Sequence, residues 1–337
     1  MLRASWESYR LRFTFLARTS RQAMRVKDTY FVRLWDDARP ELVGLGECAL
    51  FRGLSADDVP DYEERLSRAC ADPYSSAESG CSSIICGFEM ARANLRQGGE
   101  NLYFPSAYTE GQSEITINGL VWMGPWRTML SRIREKLDAG FRCIKIKIGG
   151  IAFDDELDLL RRIRLRFGSD DVMLRLDANG SFTPADALAR LDRLAAYGIH
   201  SIEQPIRAGQ PDEMARICAA SPIPIALDEE LIGVPSDEEK RQLLSHVRPQ
   251  YIILKPSLCG GFAHADAWIV AAEQMGIGWW ATSALESNVG LNAIAQWLTA
   301  HHPAAIDIPQ GLGTGALYSN NTPSVAELIP PHLKFKM

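Results

Sequence analysis

Four charged residues stand at nearly equal intervals in the second half of this 337-residue sequence: Asp177, Glu203, Asp228 and Lys255. Successive members are 26, 25 and 27 residues apart. That spacing matches one strand plus one helix of a β/α repeat, so we expect the four side chains at equivalent heights on consecutive strands. Taken singly, each could be a helix cap, a turn residue or a surface lysine, but four in register indicate a functional site.

The three carboxylates define the first half of the expected chemistry. Asp177, Glu203 and Asp228 would repel one another at a single point unless a cation lay between them. Ligation by carboxylate oxygens without His or Cys favours a hard ion, which predicts Mg²⁺ before Mn²⁺ or Ca²⁺. The open coordination positions of such an ion would accept a substrate carboxylate.

Two lysines on one strand supply the second half. In "CIKIKIG" (143–149) isoleucine alternates with lysine, so Lys145 and Lys147 share one face of a strand whose other face is apolar. Repulsion between the two ammonium groups and partial burial would lower a lysine pKa and provide a neutral amine as a base. With Lys255 expected on the opposite side, the set predicts removal of a proton α to a carboxylate, with Mg²⁺ stabilising the enediolate.

The elements that must position these residues follow two patterns. Before residue 110, predicted strands at 9–16, 29–35 and 41–51 precede two predicted helices, which is typical of a small α+β unit. From residue 115 onward, short apolar stretches alternate with amphipathic helical patterns. The strand predictions are 115–123, 141–149, 172–178, 200–205, 223–229, 251–256, 276–283 and 304–309. Eight strands within about 200 residues predict a closed β/α barrel.

Composition argues against several classes of partner. The formal net charge of −6 provides no basic surface for nucleic acid. The most apolar run, 275–285, is too short to cross a bilayer, and the arginine-rich N-terminus has no continuous apolar signal segment, which predicts no membrane partner and no secretion. Seven cysteines without a CxxC pair indicate free thiols in a reducing cytoplasm. We therefore expect a small-molecule carboxylate as the partner, and the sequence predicts no oligomeric state.

The KIK motif, the three spaced carboxylates and Lys255 together resemble the enolase superfamily, within its muconate-lactonizing-enzyme branch. The resemblance covers nearly the whole chain. It implies a (β/α)₇β modified TIM barrel over residues 111–311. It also implies an N-terminal α+β capping domain, residues 1–110, completed by a C-terminal tail, residues 312–337.

The same resemblance implies a role for each charged residue of the site. Asp177, Glu203 and Asp228 would ligate Mg²⁺. Lys147 would be the acid/base lysine and Lys145 its electrostatic partner. Two further residues next to the ligands, Asn179 and Glu229, would support the metal shell or Lys255.

Within that branch, the stretches 118–124, 282–297 and 310–321 resemble the o-succinylbenzoate synthases. The implied reaction is the syn loss of water from 2-succinyl-6-hydroxy-2,4-cyclohexadiene-1-carboxylate in menaquinone biosynthesis. Lys147 would remove the α-proton and then protonate the departing hydroxide, and Lys255 would be a cation–π partner on the other ring face. The predicted substrate contacts are Ser20 and Arg21 in a lid loop, Ser283 and Ser287 after the seventh strand, and Gly313 in "GLGTG".

Other functions use the same residues. The alternatives are a dipeptide epimerase, an N-acylamino-acid racemase or a muconate cycloisomerase of the same branch. Related epimerases usually carry Asp-x-Asp after the eighth strand, whereas here Asp307 is followed by Pro309 at the second position, which disfavours epimerisation. A non-catalytic carboxylate-binding protein is the alternative from a different class, and it predicts no α-proton exchange in D₂O.

Overall fold

The computed structural model describes residues 1–20 and 22–336. The N-terminal unit is a three-stranded antiparallel sheet covered by two helices, as predicted. Its elements are β1 (Leu2–Arg18), β2 (Ala23–Asp36), β3 (Arg39–Cys48), α1 (Tyr62–Ala71) and α2 (Ser82–Arg96). Helix α2 lies very close to β3, since a Cβ on Gly46 would come within 1.9 Å of the Gly87 carbonyl oxygen. This close approach requires glycine at position 46.

Seven parallel strands form the curled sheet of the barrel, and each is hydrogen-bonded to the next one in the chain. The first predicted barrel strand is shorter than expected, because 115–123 divides into β4 (Ile115–Thr116) and β5. The barrel strands are β5 (Gly119–Val121), β6 (Cys143–Lys147), β7 (Met173–Asp177), β8 (Ile199–Glu203), β9 (Ile225–Leu227), β10 (Tyr251–Leu254) and β11 (Gly278–Ala281).

Helices occupy every connection between these strands, and a last helix follows β11. They are α3 (Trp126–Asp138), α4 (Phe153–Arg164), α5 (Ala187–Ala195), α6 (Pro211–Ala220), α7 (Asp237–Val247), α8 (Pro256–Cys259), α9 (Phe262–Gln274) and α10 (Asn288–His301). The short α8 shares one connection with α9. The predicted (β/α)₇β alternation is therefore confirmed.

The eighth barrel position lies later in the chain than predicted. The prediction of a strand at 304–309 is wrong, because that segment forms 3₁₀ and turn structure. Gln310 and Gly311 fill the position instead, through parallel bridges to Ile117 before β5 and Thr282 after β11. A two-residue stretch can close the barrel because the side chain of Gln310 adds hydrogen bonds to those of the backbone.

Replacing Gln310 by leucine is expected to lower the free energy of unfolding by about 2–3 kcal/mol, since each buried hydrogen bond contributes about 1 kcal/mol. The fully buried Gln310 accepts from Ala281 N at 2.7 Å and donates to the carbonyl oxygens of Ala305 and Ile308, both at 2.8 Å. Urea denaturation measures the loss. Gln242→Leu, on the exposed face of α7, is the control, and an equal effect in both variants would contradict the assignment.

The C-terminal tail returns to the cap before it ends. Tyr318 bridges to Phe13 of β1, and Asn320 donates to the carbonyl oxygen of Arg10 at 2.8 Å. The last two strands, β12 (Ala326–Ile329) and β13 (His332–Phe335), then pair with β4 in a separate three-stranded sheet. The tail therefore completes the cap near residue 318, as the resemblance implies, and its end covers the barrel instead.

The main apolar core lies between the barrel strands and their helices, where Trp268 and Trp297 are fully buried. A second cluster fills the cap between its sheet and helices. A third joins the two units, because Phe13 and Tyr318 pack with Trp122 of the barrel. Across residues 1–20 and 22–336, no helix is both long and apolar enough to span a membrane.

Candidate active site

Parallel register brings the predicted site residues together at the carboxyl ends of the barrel strands. Lys147 on β6 pairs with Asp177 on β7, and Asp177 pairs in turn with Glu203 on β8. Asp228 follows β9 directly, and Lys255 follows β10 directly. The equal heights expected from the spacing are therefore observed, since each β/α unit advances the chain by one strand at the same level.

The two faces of β6 carry different residue types, as the alternation in the sequence predicts. Ile144, Ile146 and Ile148 are at most 1% exposed and belong to the core beneath the helices. Lys145 and Lys147 face the barrel interior, where they are 7% and 8% exposed. Lysines are tolerated there because carboxylates of the neighbouring strands meet their ammonium groups.

The β6 lysines form ion pairs with the next two strands. Lys145 Nζ donates to Glu203 Oε2 at 2.5 Å and lies 3.2 Å from Asp177 Oδ2. Lys147 Nζ donates to Asp177 Oδ2 at 2.8 Å and to Asn179 Oδ1 at 2.9 Å. The amine of Lys147 is thus held by two oxygens while its side chain borders the cavity described below.

The opposite side of the barrel carries a matching pair. Lys255 Nζ donates to both carboxylate oxygens of Asp228, at 2.6 Å for Oδ1. Asn179 Nδ2 donates to Glu229 Oε1 at 3.1 Å, so the two residues predicted to support the site contact each other. Because Asn179 also accepts from Lys147, its amide links the β6 lysine to the β9 side of the site.

Burial and ion pairing act against each other at Lys145. Burial disfavours its charged form, but the carboxylates of Asp177, Glu203 and Asp228 outweigh burial and raise the pKa of Lys145. Burial would likewise raise the pKa of Asp177, yet the ammonium groups of Lys145 and Lys147 lower it. The predicted fall in a lysine pKa is therefore wrong for Lys145, because the attraction of three carboxylates for its ammonium group exceeds the effect of burial.

The donor set fits a hard divalent ion. Asp177, Glu203 and Asp228 supply only carboxylate oxygens, the ligands that Mg²⁺ prefers. Glu203 Oε1 is buried and has no hydrogen-bond partner among the described residues, so it retains full capacity to bind a cation. In the described part of the chain, no three His, Cys, Asp or Glu side chains are grouped to hold an ion as they stand. The carboxylates point instead at the lysine amines, with which an ion would compete.

A cavity opens above these charges, and the space within it and its open mouth together amounts to about 720 Å³. It is bordered by Lys145, Lys147 and Lys255 and by both structural units. Asp177 adds a carboxylate to the charged part of the wall. The remaining wall is neutral, and it comprises Thr19, Phe51, Leu54, Asn118, Leu120, Trp122, Asn179, Leu258, Thr282, Ser283, Ala284, Leu285, Gly311, Gly313 and Thr314. One end of the cavity is therefore charged, while the other offers apolar surface and hydroxyl groups.

Three of the predicted substrate contacts lie at or beside this cavity. Ser283 and Gly313 line it, and the hydroxyl of Ser283 is 2.7 Å from that of Thr314. Ser20 lines the adjacent groove and donates to the carbonyl oxygen of Asn179 at 3.0 Å. These positions place Ser283 and Gly313 within reach of a bound molecule.

The other two predicted contacts have different outcomes. Ser287 does not line the cavity: its hydroxyl donates to Glu47 Oε2 at 2.6 Å and accepts from Val289 N at the start of α10. It is a helix cap, so a role in substrate binding is not supported, because its hydroxyl is already engaged. Arg21 lies outside the described residues.

Sequence reasoning missed most of the neutral wall. Phe51 and Leu54 come from the cap, and no spacing rule connects them to the barrel. Trp122 lies with its ring centre 5.4 Å from Lys147 Nζ. A signal existed for Trp122, because it directly follows β5, at the carboxyl end of the first barrel strand, where site residues collect.

Comparison with known proteins supports the fold and the family. The family of enolase C-terminal domain-like proteins matches residues 128–310. The o-succinylbenzoate synthase of Desulfotalea psychrophila is 44% identical, with 91% of this chain and 92% of that protein covered. The crystal structure of MenC from the same organism superposes with a TM-score of 0.82 at 39% identity, over 99% of both chains.

A dipeptide epimerase from Enterococcus faecalis, solved with Mg and a dipeptide, also superposes well. Its TM-score is 0.84 over 99% of this chain and 96% of that one, but the identity is 18%. At that identity the likeness concerns the fold alone.

Proposed function

This chain belongs to the enolase C-terminal domain-like family of enzymes, and we propose that it is an Mg²⁺-dependent o-succinylbenzoate synthase of menaquinone biosynthesis. The observation that carries the proposal is the pair Lys147 and Lys255, which border one cavity from opposite sides of the barrel. A relative of that activity, 44% identical over nearly the whole of both chains, supports the choice of substrate.

Lys147 would perform both proton transfers. Its neutral amine removes the proton α to the ring carboxylate, and the resulting ammonium then protonates the departing hydroxide on the same face. The products are water and an aromatic ring, so the proton taken from carbon leaves with the hydroxide and the lysine returns to its starting state. Asp177 and Asn179 orient the amine, since both accept its hydrogen bonds.

Lys255 would act on the opposite face of the ring. Its ammonium is held by Asp228 and needs no proton transfer in a dehydration, so its role is electrostatic. Asp177, Glu203 and Asp228 would hold Mg²⁺, which would stabilise the negative charge on the substrate carboxylate.

The neutral wall suits the rest of the substrate. Leu120, Trp122 and Leu258 offer apolar surface for a six-membered ring. The paired hydroxyls of Ser283 and Thr314 can donate to the carboxylate of the succinyl side chain. A cytoplasmic location suits an enzyme whose seven cysteines are all free thiols.

The decisive experiment follows o-succinylbenzoate by its ultraviolet absorbance after the cyclohexadiene substrate is added to protein and Mg²⁺. Steady formation of o-succinylbenzoate is expected. Dipeptides and N-acylamino acids are tested in parallel in D₂O, where α-exchange reports proton abstraction without dehydration. Epimerisation of a dipeptide without dehydration would replace the proposal, and the absence of exchange with every carboxylate would favour a binding protein.

A further inference from the structure

Glu47 is a fully buried carboxylate of the cap that takes no part in the proposed reaction. Four hydrogen bonds saturate its two oxygens. Oε1 accepts from Thr29 Oγ1 at 2.7 Å and from Ser287 N at 2.9 Å. Oε2 accepts from Ser287 Oγ at 2.6 Å and from Gly290 N at 2.9 Å. A single cap side chain therefore holds the beginning of the last barrel helix.

The contact is specific to this helix end. Ser287 is the N-cap of α10, whose first amides lack partners within the helix and favour a negative charge. A Cβ on Gly290 would lie only 2.9 Å from Glu47 Oε2, so the absence of a side chain there permits the close approach. The carboxylate thus docks the two structural units together through backbone groups.

Both polypeptide segments joined by Glu47 lead directly into the cavity. On the cap side, Phe51 lines the cavity four residues after Glu47, followed by Leu54. On the barrel side, the cavity residues Ser283 and Leu285 lie four and two residues before Ser287. One carboxylate consequently joins two segments that are remote in sequence and that line adjoining parts of the cavity, where Phe51 and Ala284 belong to one apolar cluster.

A second buried carboxylate connects this region to the catalytic side. Glu286 Oε1 accepts from Ser257 Oγ at 2.7 Å, and Ser257 lies two residues after Lys255. The loop held by Glu47 is therefore tied to the segment that carries the electrostatic lysine. Displacement of this loop would change the cavity wall directly, and it would change the position of Lys255 only through Glu286 and Ser257.

We propose that Glu47 is a positioning residue that keeps the cap wall (Phe51 and Leu54) and the barrel wall (residues 282–285) in register around the substrate. Its effect on substrate binding rests on the proposed function. The effect of Glu47 on the two wall segments does not rest on the proposed function, and it can be measured without substrate.

Glu89 provides a matched control. It also belongs to the cap, on α2, and its Oε2 accepts from Phe262 N at 2.5 Å at the start of α9. Neither Glu89 nor Phe262 lines the cavity. Glu89 thus docks the cap on a barrel helix in the same way as Glu47, but without joining two cavity walls.

Hydrogen–deuterium exchange of the substrate-free protein tests the structural part. Each oxygen of Glu47 accepts from one backbone N–H, that of Ser287 or that of Gly290. In Glu47→Gln an NH₂ group replaces one of these oxygens, so one of the two backbone amides loses its acceptor in either orientation of the side chain. We expect about tenfold faster exchange in both 49–54 and 283–291, as for the loss of one charged hydrogen bond. Glu89→Gln should leave both segments unchanged and affect 260–265. Faster exchange confined to 287–291 in Glu47→Gln would overturn the proposal.

Steady-state kinetics test the effect on binding. For Glu47→Gln, we expect KM for the cyclohexadiene substrate to rise about tenfold while kcat changes less than about threefold, since the contact acts through the walls. Thr29→Val, which removes one of the four hydrogen bonds and keeps the charge, should give a smaller rise and remains informative if Glu47→Gln does not fold. Equal KM in the Glu47→Gln and Glu89→Gln variants would refute the positioning role. Lack of turnover by the wild type would instead refute the proposed function, and exchange would still decide the role of Glu47.

Discussion

Replacement of Lys147 by alanine is expected to lower the rate of o-succinylbenzoate formation by at least about 10³-fold, because one positioned acid/base group contributes about 10²–10⁴-fold and this lysine would act in both proton transfers. The protein should remain folded. Asp177 retains the ammonium of Lys145 at 3.2 Å, so the substitution leaves no buried carboxylate without a cation nearby. The measurement is ultraviolet detection of product together with a thermal unfolding curve.

Lys334→Ala is the control for removal of a lysine. Lys334 belongs to β13, the last strand, which is far from the barrel mouth. Its amine forms an exposed ion pair with Glu114 at 2.8 Å. Its variant should retain wild-type activity, since exposed ion pairs contribute little. Wild-type turnover by Lys147→Ala would exclude Lys147 as the base and leave Lys255 as the remaining candidate.

Removal of divalent metal is expected to stop turnover, and addition of Mg²⁺ should restore it. Calorimetric titration of the metal-free protein with Mg²⁺ measures binding independently of activity. We expect Glu203→Gln to weaken Mg²⁺ binding by at least about 100-fold, because loss of a ligand should exceed the 10–100-fold effect of residues that only orient ligands. The buried Oε1 without a hydrogen-bond partner is the feature of Glu203 that supports this expectation.

Glu89→Gln is again the matched variant, because it neutralises a cap carboxylate remote from the site. It should bind Mg²⁺ as the wild type does. Unchanged Mg²⁺ binding in Glu203→Gln would remove Glu203 from the metal site. Full activity in excess chelator would refute the metal requirement itself and leave the four lysine–carboxylate pairs as a metal-independent charge network.

The spacing of the charged residues in the sequence was sufficient to predict which of them meet at the charged end of the site. Asp177, Glu203 and Asp228 recur at the length of one β/α unit, and parallel strands carry such residues to one level regardless of the loops between them. The alternation around Lys145 and Lys147 likewise determined which face of β6 is apolar. Both predictions depend on the local periodicity of residue types, which can be determined from the sequence without knowledge of long-range contacts.

The rest of the site depends on contacts between distant segments, and only the tertiary structure decided it. Ser287 and Glu47 are 240 residues apart, so nothing local distinguishes a substrate contact from a helix cap held by the other unit. The last barrel position moved to Gln310 because side-chain hydrogen bonds replace a regular strand there. The raised pKa of Lys145 also depends on which carboxylates its amine reaches. Periodicity places residues on a strand, whereas packing between units decides which atoms meet.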